Sequence, residues 1–296
     1  MRFRSQNIPL THTDLKMEIK MSSKSILSEL LTPIGEAKLY LSYKDFFVDP
    51  DKMITDDSHI HSCYEIYVNV TGDVSFLHSD NLYMIKSGDV IFSEPGEVHH
   101  CIYNSPSVHE HYCLWFELDE NSVASEFLSK HKIDGYIRLD EGNKKRLLSL
   151  LSELDKSEDR FEKYVTFLEI LKLMKENTFY DEKVSLPGKM QKILEYVNEK
   201  FPEIDSVNAI ASEFHVSVPT VNRWFREYLH LSPGELIKAK KLSHAEKLIR
   251  GDFSVTEACF LSGFTDCSRF ITLFKKNYGM TPLRYKKSNS YDKTEE

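Results

Sequence analysis

The chain is poor in several things that would have narrowed its class. It has five cysteines in 296 residues, at 63, 101, 113, 259 and 267, with no CxxC pair. That excludes a dense disulfide framework and points to reduced thiols in a cytoplasmic protein. No apolar run approaches the ~20 residues of a membrane-spanning helix. The first residues, MRFRSQNIPLTHTDLKMEIK, are too polar for a signal peptide. Positive charge is also short. The 38 Lys and Arg against 46 Asp and Glu leave a net charge of -8, which argues against a wholly basic nucleic-acid coat protein. What is present is core material for about two domains: 41% hydrophobic residues, with 18 Phe and 15 Tyr.

The charge is divided unevenly. Residues 188–287 hold 16 Lys and Arg against 11 Asp and Glu, a net of +5. Residues 1–187 carry -11. Only the C-terminal part is suited to meeting a polyanion.

The patterning changes at the same place. Residues 1–25 read as a flexible N-terminal arm. Residues 26–140 carry short apolar runs such as Tyr64–Val70, Val74–Leu77, Leu82–Ile85 and Tyr112–Leu118, punctuated by Gly72-Asp73, Ser87-Gly88 and Pro95-Gly96. Closely spaced short strands predict a sandwich or small barrel. Residues 141–180 have helical period. Leu147, Leu148, Leu151 and Leu154 share one face, and Phe161, Tyr164, Val165, Leu168 and Leu171 share another. These stripes can pack on the barrel or against a second subunit. Residues 181–188 form a linker, 189–287 are helical, and 288–296 are expected to be a disordered tail.

The helical block carries the sharpest pattern. In 206–229, Ser206 and Ser217 are placed to cap two short helices, with a tight turn at His215-Val216 and Pro219 in the second helix's first turn. Val221, Trp224 and Phe225 are expected to point inward. That leaves Pro219, Thr220, Asn222, Arg223 and Arg226 as candidate DNA-contacting residues. The pattern recurs over 254–282. Ser254 and Asp266 are caps, Gly263 sits in the turn, and Phe270, Leu273 and Phe274 point inward. Ser268, Arg269 and Thr272 point outward. Pro233 to Arg250 reads as a long helix between the units. Lys240, Lys241, Lys275 and Lys276 are expected to face phosphate or solvent.

Residues 188–287 resemble the DNA-binding domain of AraC-type transcription regulators. The resemblance is carried by Ile210-Ala211, Ser217, Arg223-Trp224-Phe225-Arg226, Leu231-Ser232-Pro233, Gly263-Phe264, Phe270, Phe274-Lys275-Lys276, Gly279-Met280-Thr281-Pro282 and Tyr285-Lys286. It implies seven helices, with two recognition helices entering successive major grooves of double-stranded DNA. Three places depart from the family pattern. Lys241 stands where Arg is common, Arg269 where an aromatic usually precedes Phe270, and Ile271-Thr272 replace a Ser-Arg pair.

Upstream, His59, His61, Glu65 and Gly72 have the form H-x-H-x3-E-x6-G, and Gly88 to His100 follow. These segments resemble the two motifs of cupin barrels. In AraC-type regulators such a barrel implies a small-molecule effector, with a sugar among the candidates. His59, His61, Glu65, Tyr67 and His99 are the candidate ligand-binding residues. A metal site from His59, His61, Glu65 and His99 or His100 stays open as the alternative; no metal or cofactor is assigned. His109 and His111 suit the surface and the core equally.

The expected fold is therefore an α+β two-domain protein. A cupin-like barrel with accessory helices precedes an all-α domain with two helix-turn-helix units. The expected function is a cytoplasmic, non-enzymatic, sequence-specific DNA-binding regulator acting as a homodimer, with RNA polymerase as a further partner and no membrane. The alternatives are a metal-dependent cupin enzyme fused to a DNA-binding module, and a ligand-independent DNA-binding regulator.

Overall fold

The computed structural model describes residues 31–48, 63–78, 81–119, 121–177 and 186–290. The expected arm at 1–25, His59 and His61, linker residues 181–185 and the last six residues lie outside these.

The strands are β1 (Thr32–Ile34), β2 (Ala37–Val48), β3 (Tyr64–Thr71), β4 (Val74–His78), β5 (Asn81–Ile85), β6 (Val90–Ser93), β7 (His99–Tyr103), β8 (Ser107–Leu118) and β9 (Tyr136–Ile137). They form two antiparallel sheets, ordered β1-β2-β8-β3-β6-β9 and β5-β4-β7. Helix α1 (Val123–Lys130) precedes β9; α2 (Glu141–Lys156) and α3 (Arg160–Glu176) follow it.

The central strands β3 and β6 of the larger sheet are buried on both faces and read as nearly continuous apolar runs, whereas β2 alternates buried and exposed. Side chains alternate along a strand. Ile66, Val68, Val90, Phe92, Leu114 and Phe116 therefore pack outward with α2 and α3. Tyr67, Ile91, Cys113 and Trp115 turn inward, toward Phe76, Tyr83 and Ile85 of the smaller sheet. Phe116 meets Phe167 of α3 edge-on at 5.0 Å, and both rings are fully buried. Burying each contributes on the order of 1.5–3 kcal/mol.

Helix α3 decides between the two packings open to its stripe. Its buried face is Thr166, Phe167, Ile170, Leu171, Leu173 and Met174. Of the expected stripe only Leu171 is buried. Tyr164, Val165 and Leu168 are half-buried, and Phe161 is 71% exposed. The helix carries apolar residues on two sides, and the sheet covers only one.

The C-terminal half has seven helices: α4 (Gly188–Lys200), α5 (Val207–Glu213), α6 (Val218–Leu229), α7 (Pro233–Arg250), α8 (Val255–Leu261), α9 (Cys267–Tyr278) and α10 (Pro282–Ser290). The last runs three residues into the segment expected as a tail. Two helix-turn-helix units repeat almost residue for residue. The first turn has His215 at φ 51 where the second has Gly263 at φ 81. Val216 N donates to Ala211 O, and Phe264 N to Cys259 O, each at 3.0 Å. Ser217 caps α6 through Thr220 N, and Asp266 caps α9 through Ser268 N and Arg269 N. Val221, Phe225 and Leu229 occupy the buried places that Phe270, Phe274 and Tyr278 fill in the second unit. Both second helices end in a left-handed residue, His230 or Gly279. Ser206 precedes α5 without a side-chain cap bond, and Trp224 is only half-buried.

Lys240 and Lys241 correct an expectation: both are buried. Lys241 Nζ donates to Ile204 O at 3.0 Å and to Gly263 O at 2.8 Å. One ammonium on α7 thus ties the entry to the first unit to the turn of the second. Gly263 lies against Pro202, where any Cβ would overlap the proline carbonyl.

Candidate functional site

The helical half presents both recognition helices to solvent. A capped start, an apolar stripe and a left-handed stop fix the orientation of α6 and α9. Among the expected DNA residues, Pro219, Arg223, Arg226, Ser268, Arg269 and Thr272 are exposed. Thr220 and Asn222 are half-buried. Two hydroxyls are already engaged. Thr220 Oγ1 lies 2.8 Å from Ser217 Oγ within the cap, and Thr272 Oγ1 donates to Ser268 O at 3.0 Å. Thr272 therefore offers its methyl group and a lone pair rather than its proton. Ile271, exposed beside it, adds an apolar surface suited to a thymine methyl. Lys275 and Lys276 are exposed, as expected.

The strand-rich half collects a polar cluster between its sheets. Glu65 Oε2 and His99 Nε2 lie 3.0 Å apart, both side chains buried. His99 Nδ1 faces the Glu97 carbonyl oxygen at 3.0 Å. Tyr67 Oη lies 3.2 Å from His109 Nε2 and 3.8 Å from Cys101 Sγ. Burial pushes the Tyr67 hydroxyl well above its ordinary range, with Cys101 adding to the effect. His109 and His111 stack at 4.8 Å, and Phe46 meets both edge-on. The structure therefore puts both histidines in the core. They share the inward face with Cys113 and Trp115, a signal present in the alternation of β8. Among the described residues no group of three or more His, Cys, Asp or Glu could hold a metal ion.

Sequence reasoning missed a second buried network. Asp89 accepts from Tyr136 Oη at 2.8 Å and from Arg138 Nε at 3.1 Å. It fastens β9 to the turn before β6, and its role is structural.

The two halves share a core. Leu77, Leu82, Val98 and Ile102 pack in one cluster with Met190, Ile193, Leu236 and Ile237 of the helical half. Arg250 of α7 donates to Pro95 O at 3.5 Å and holds buried Glu246, which also accepts from Tyr285. Burial alone would push the Glu97 carboxyl up. The hydrogen bond and charge of His78, with the Glu94 backbone and Lys247 of α7, outweigh it and hold Glu97 at about 2. Burial, then the charges of His230 and His99, bring His100 down to about 4. The loop after β6 thus meets the helix that carries both helix-turn-helix units.

Comparison with known proteins agrees with this division. A family model described as an AraC-like ligand binding domain matches residues 53–171, and one described as a helix-turn-helix domain matches 210–288. The HTH-type transcriptional activator RhaS of Salmonella schwarzengrund is 23% identical over 241 residues, covering 76% of this chain and 85% of its own. RhaS of an Enterobacter species is 23% identical over 244 residues, with the same coverage. A solved structure of ToxT from Vibrio cholerae aligns over 83% of this chain and 97% of its own, at 14% identity and a TM-score of 0.35. No helix among the described residues is long and apolar enough to cross a membrane. The two family models follow one another along a chain whose strand-rich and helical halves coincide with them, and the chain belongs to the AraC-type transcription regulators, with a cupin-like ligand-binding domain joined to a helix-turn-helix DNA-binding domain.

Proposed function

We propose that this regulator reads double-stranded DNA with both recognition helices. Arg223 and Arg226 of α6 supply most of the discrimination, and Pro219, Thr220 and Asn222 shape the first contact. Ser268, Arg269 and Thr272 of α9 meet the next major groove. The single observation behind this reading is the repeated unit, in which two capped helices leave charged and polar side chains exposed on the same face of each second helix. The acidic strand-rich half takes a small-molecule effector between its sheets, with Glu65, Tyr67 and His99 as polar contacts and His59 and His61 nearby in sequence. A carbohydrate is the first class to test, since carboxylate, imidazole and phenol groups among aromatic rings suit hydroxyls. In this reading the chain is a cytoplasmic activator and not an enzyme, with RNA polymerase as a partner. The activator assignment follows the printed function of the RhaS relatives. The test is selection of bound duplexes from a random pool, repeated with candidate sugars. One enriched motif with two half-contacts, shifted in affinity by one sugar, supports it. Enrichment of no motif contradicts it.

The half-open stripe of α3 supports a homodimer. Tyr164, Val165 and Leu168 leave apolar surface beside exposed Phe161. Leu168→Lys is expected to shift a dimer toward monomer without unfolding, because Leu168 is only half-buried in the single chain. Sedimentation is the check. An intact dimer in the folded variant would place the seam elsewhere.

A further inference from the structure

The second helix-turn-helix unit contains a feature that DNA reading does not use. Cys267, the first residue of α9, has its Sγ 3.0 Å from that of Cys259 on α8. Cys259 is completely buried, and Cys267 is half-exposed. Both are free thiols. The first unit has Ala211 and Val218 at the corresponding places, one at the same turn-closing carbonyl and the other opening the recognition helix. Packing of this motif therefore does not require sulfur at either position. The two thiols face each other across the turn that sets the angle between α8 and α9.

We infer that Cys259 and Cys267 are an oxidative modification site: a peroxide converts them to a disulfide that weakens DNA binding by the second unit. Cys267 has the solvent access. Its sulfur attacks one peroxide oxygen, the O–O bond breaks, and water leaves as Cys267 becomes a sulfenic acid. The Cys259 sulfur then attacks the Cys267 sulfur. The S–O bond breaks, and the departing hydroxide takes the Cys259 proton and leaves as water. Two thiols and one hydrogen peroxide give one disulfide and two waters. Burial, and then the neighbouring Cys267 thiol, push the Cys259 thiol up, which disfavours it as the first attacker and leaves that role to Cys267.

The bond needs the sulfurs about 1 Å closer than they are. Cys259 is held in a packed core beside Ala258 and cannot give much. The movement therefore falls on Cys267. Ser268 and Arg269 follow it directly, and their backbone N–H groups are fixed by the Asp266 cap. Drawing in the first turn of α9 withdraws these side chains from the groove. The consequence for affinity rests on the proposed DNA contacts of α9; the modification itself does not.

The test treats the full chain with hydrogen peroxide and measures two quantities: linked peptides under non-reducing conditions, and affinity for a duplex selected by the reduced chain. The expected result is a Cys259–Cys267 peptide, with affinity reduced about tenfold, as for loss of one base contact, and restored by dithiothreitol. Cys267→Val, which installs the residue of the first unit, is expected to bind like the reduced chain and to ignore peroxide. No Cys259–Cys267 link while other cysteines oxidise would overturn the site. A link without change in affinity, or an equal loss in Cys267→Val, would overturn its regulatory consequence. A link in a chain that selects no duplex would overturn the DNA contacts and leave the modification site standing.

Discussion

Replacing Arg223 and Arg226 together with alanine is expected to lower affinity for the selected duplex about a thousandfold, at ~2 kcal/mol, the centre of the ~1–3 kcal/mol range, for each lost bidentate contact. Both side chains are exposed on α6 and lie outside the buried stripe of Val221, Phe225 and Leu229. Their loss removes no core surface, so helical content and melting should be unchanged. The salt dependence separates two roles. If both arginines read base edges, the affinity loss is similar at all salt concentrations. If both sit on phosphates, the log–log salt slope falls by nearly two, at roughly 0.9 per contact. Specific readout also predicts relaxed discrimination at the bases they meet. Affinity unchanged at moderate salt would remove α6 from the interface.

Gly263→Ala is expected to be the most damaging small substitution in the helical half. The position has φ 81, a conformation that costs an L-residue ~1–2 kcal/mol. The added Cβ would also overlap the Pro202 carbonyl, which is backbone and cannot rotate away. Gly263 O is one of the two acceptors that hold buried Lys241, so displacing the turn leaves a buried charge short of a partner. Together these should cost on the order of 3 kcal/mol or more. The prediction is a clearly lower melting temperature and loss of coordinated binding by the two units. His215 occupies the matching turn at φ 51 without a Gly. His215→Gly should therefore stabilise, which makes the pair of variants a test of geometry and not of residue type. A Gly263→Ala chain that melts and binds like the wild type would show that the turn does not hold the two units together.

Much of this architecture was legible because its signals are local. Strands between Gly72-Asp73, Ser87-Gly88 and Pro95-Gly96 announce themselves by turn residues. The paired caps Ser217 and Asp266, with Gly263 between Ala258 and Phe270, mark both helix-turn-helix units within short windows. The failures are non-local. Lys241 reads as surface because it is charged, yet its acceptors come from Ile204 and Gly263, 37 and 22 residues away. The stripe of α3 stays open between the barrel and a second subunit because the helix is apolar on two sides, and only the packed sheet decides which side is covered. Leu77, Leu82, Val98 and Ile102 look like ordinary barrel core, and nothing in their spacing tells that helical residues cover them. The Glu65–His99 pairing was foreseen only as membership of one cluster, since strand register decides which side chains meet across a barrel.

The placement of Glu97, His100 and Pro95 against α7 gives the sensor half a direct route to the helix that spaces the two reading units. Effector binding between the sheets would be felt at the loop after β6, and from there at Glu246 and Arg250. The central claim is that both units address one face of the same duplex. Footprinting of the intact chain on its selected duplex measures this most directly. The account predicts two protected major-groove segments about one helical turn, ~10 base pairs, apart on one face, with the second lost when Ser268, Arg269 and Thr272 are replaced by alanine. A single protected groove that is indifferent to those three substitutions would contradict it.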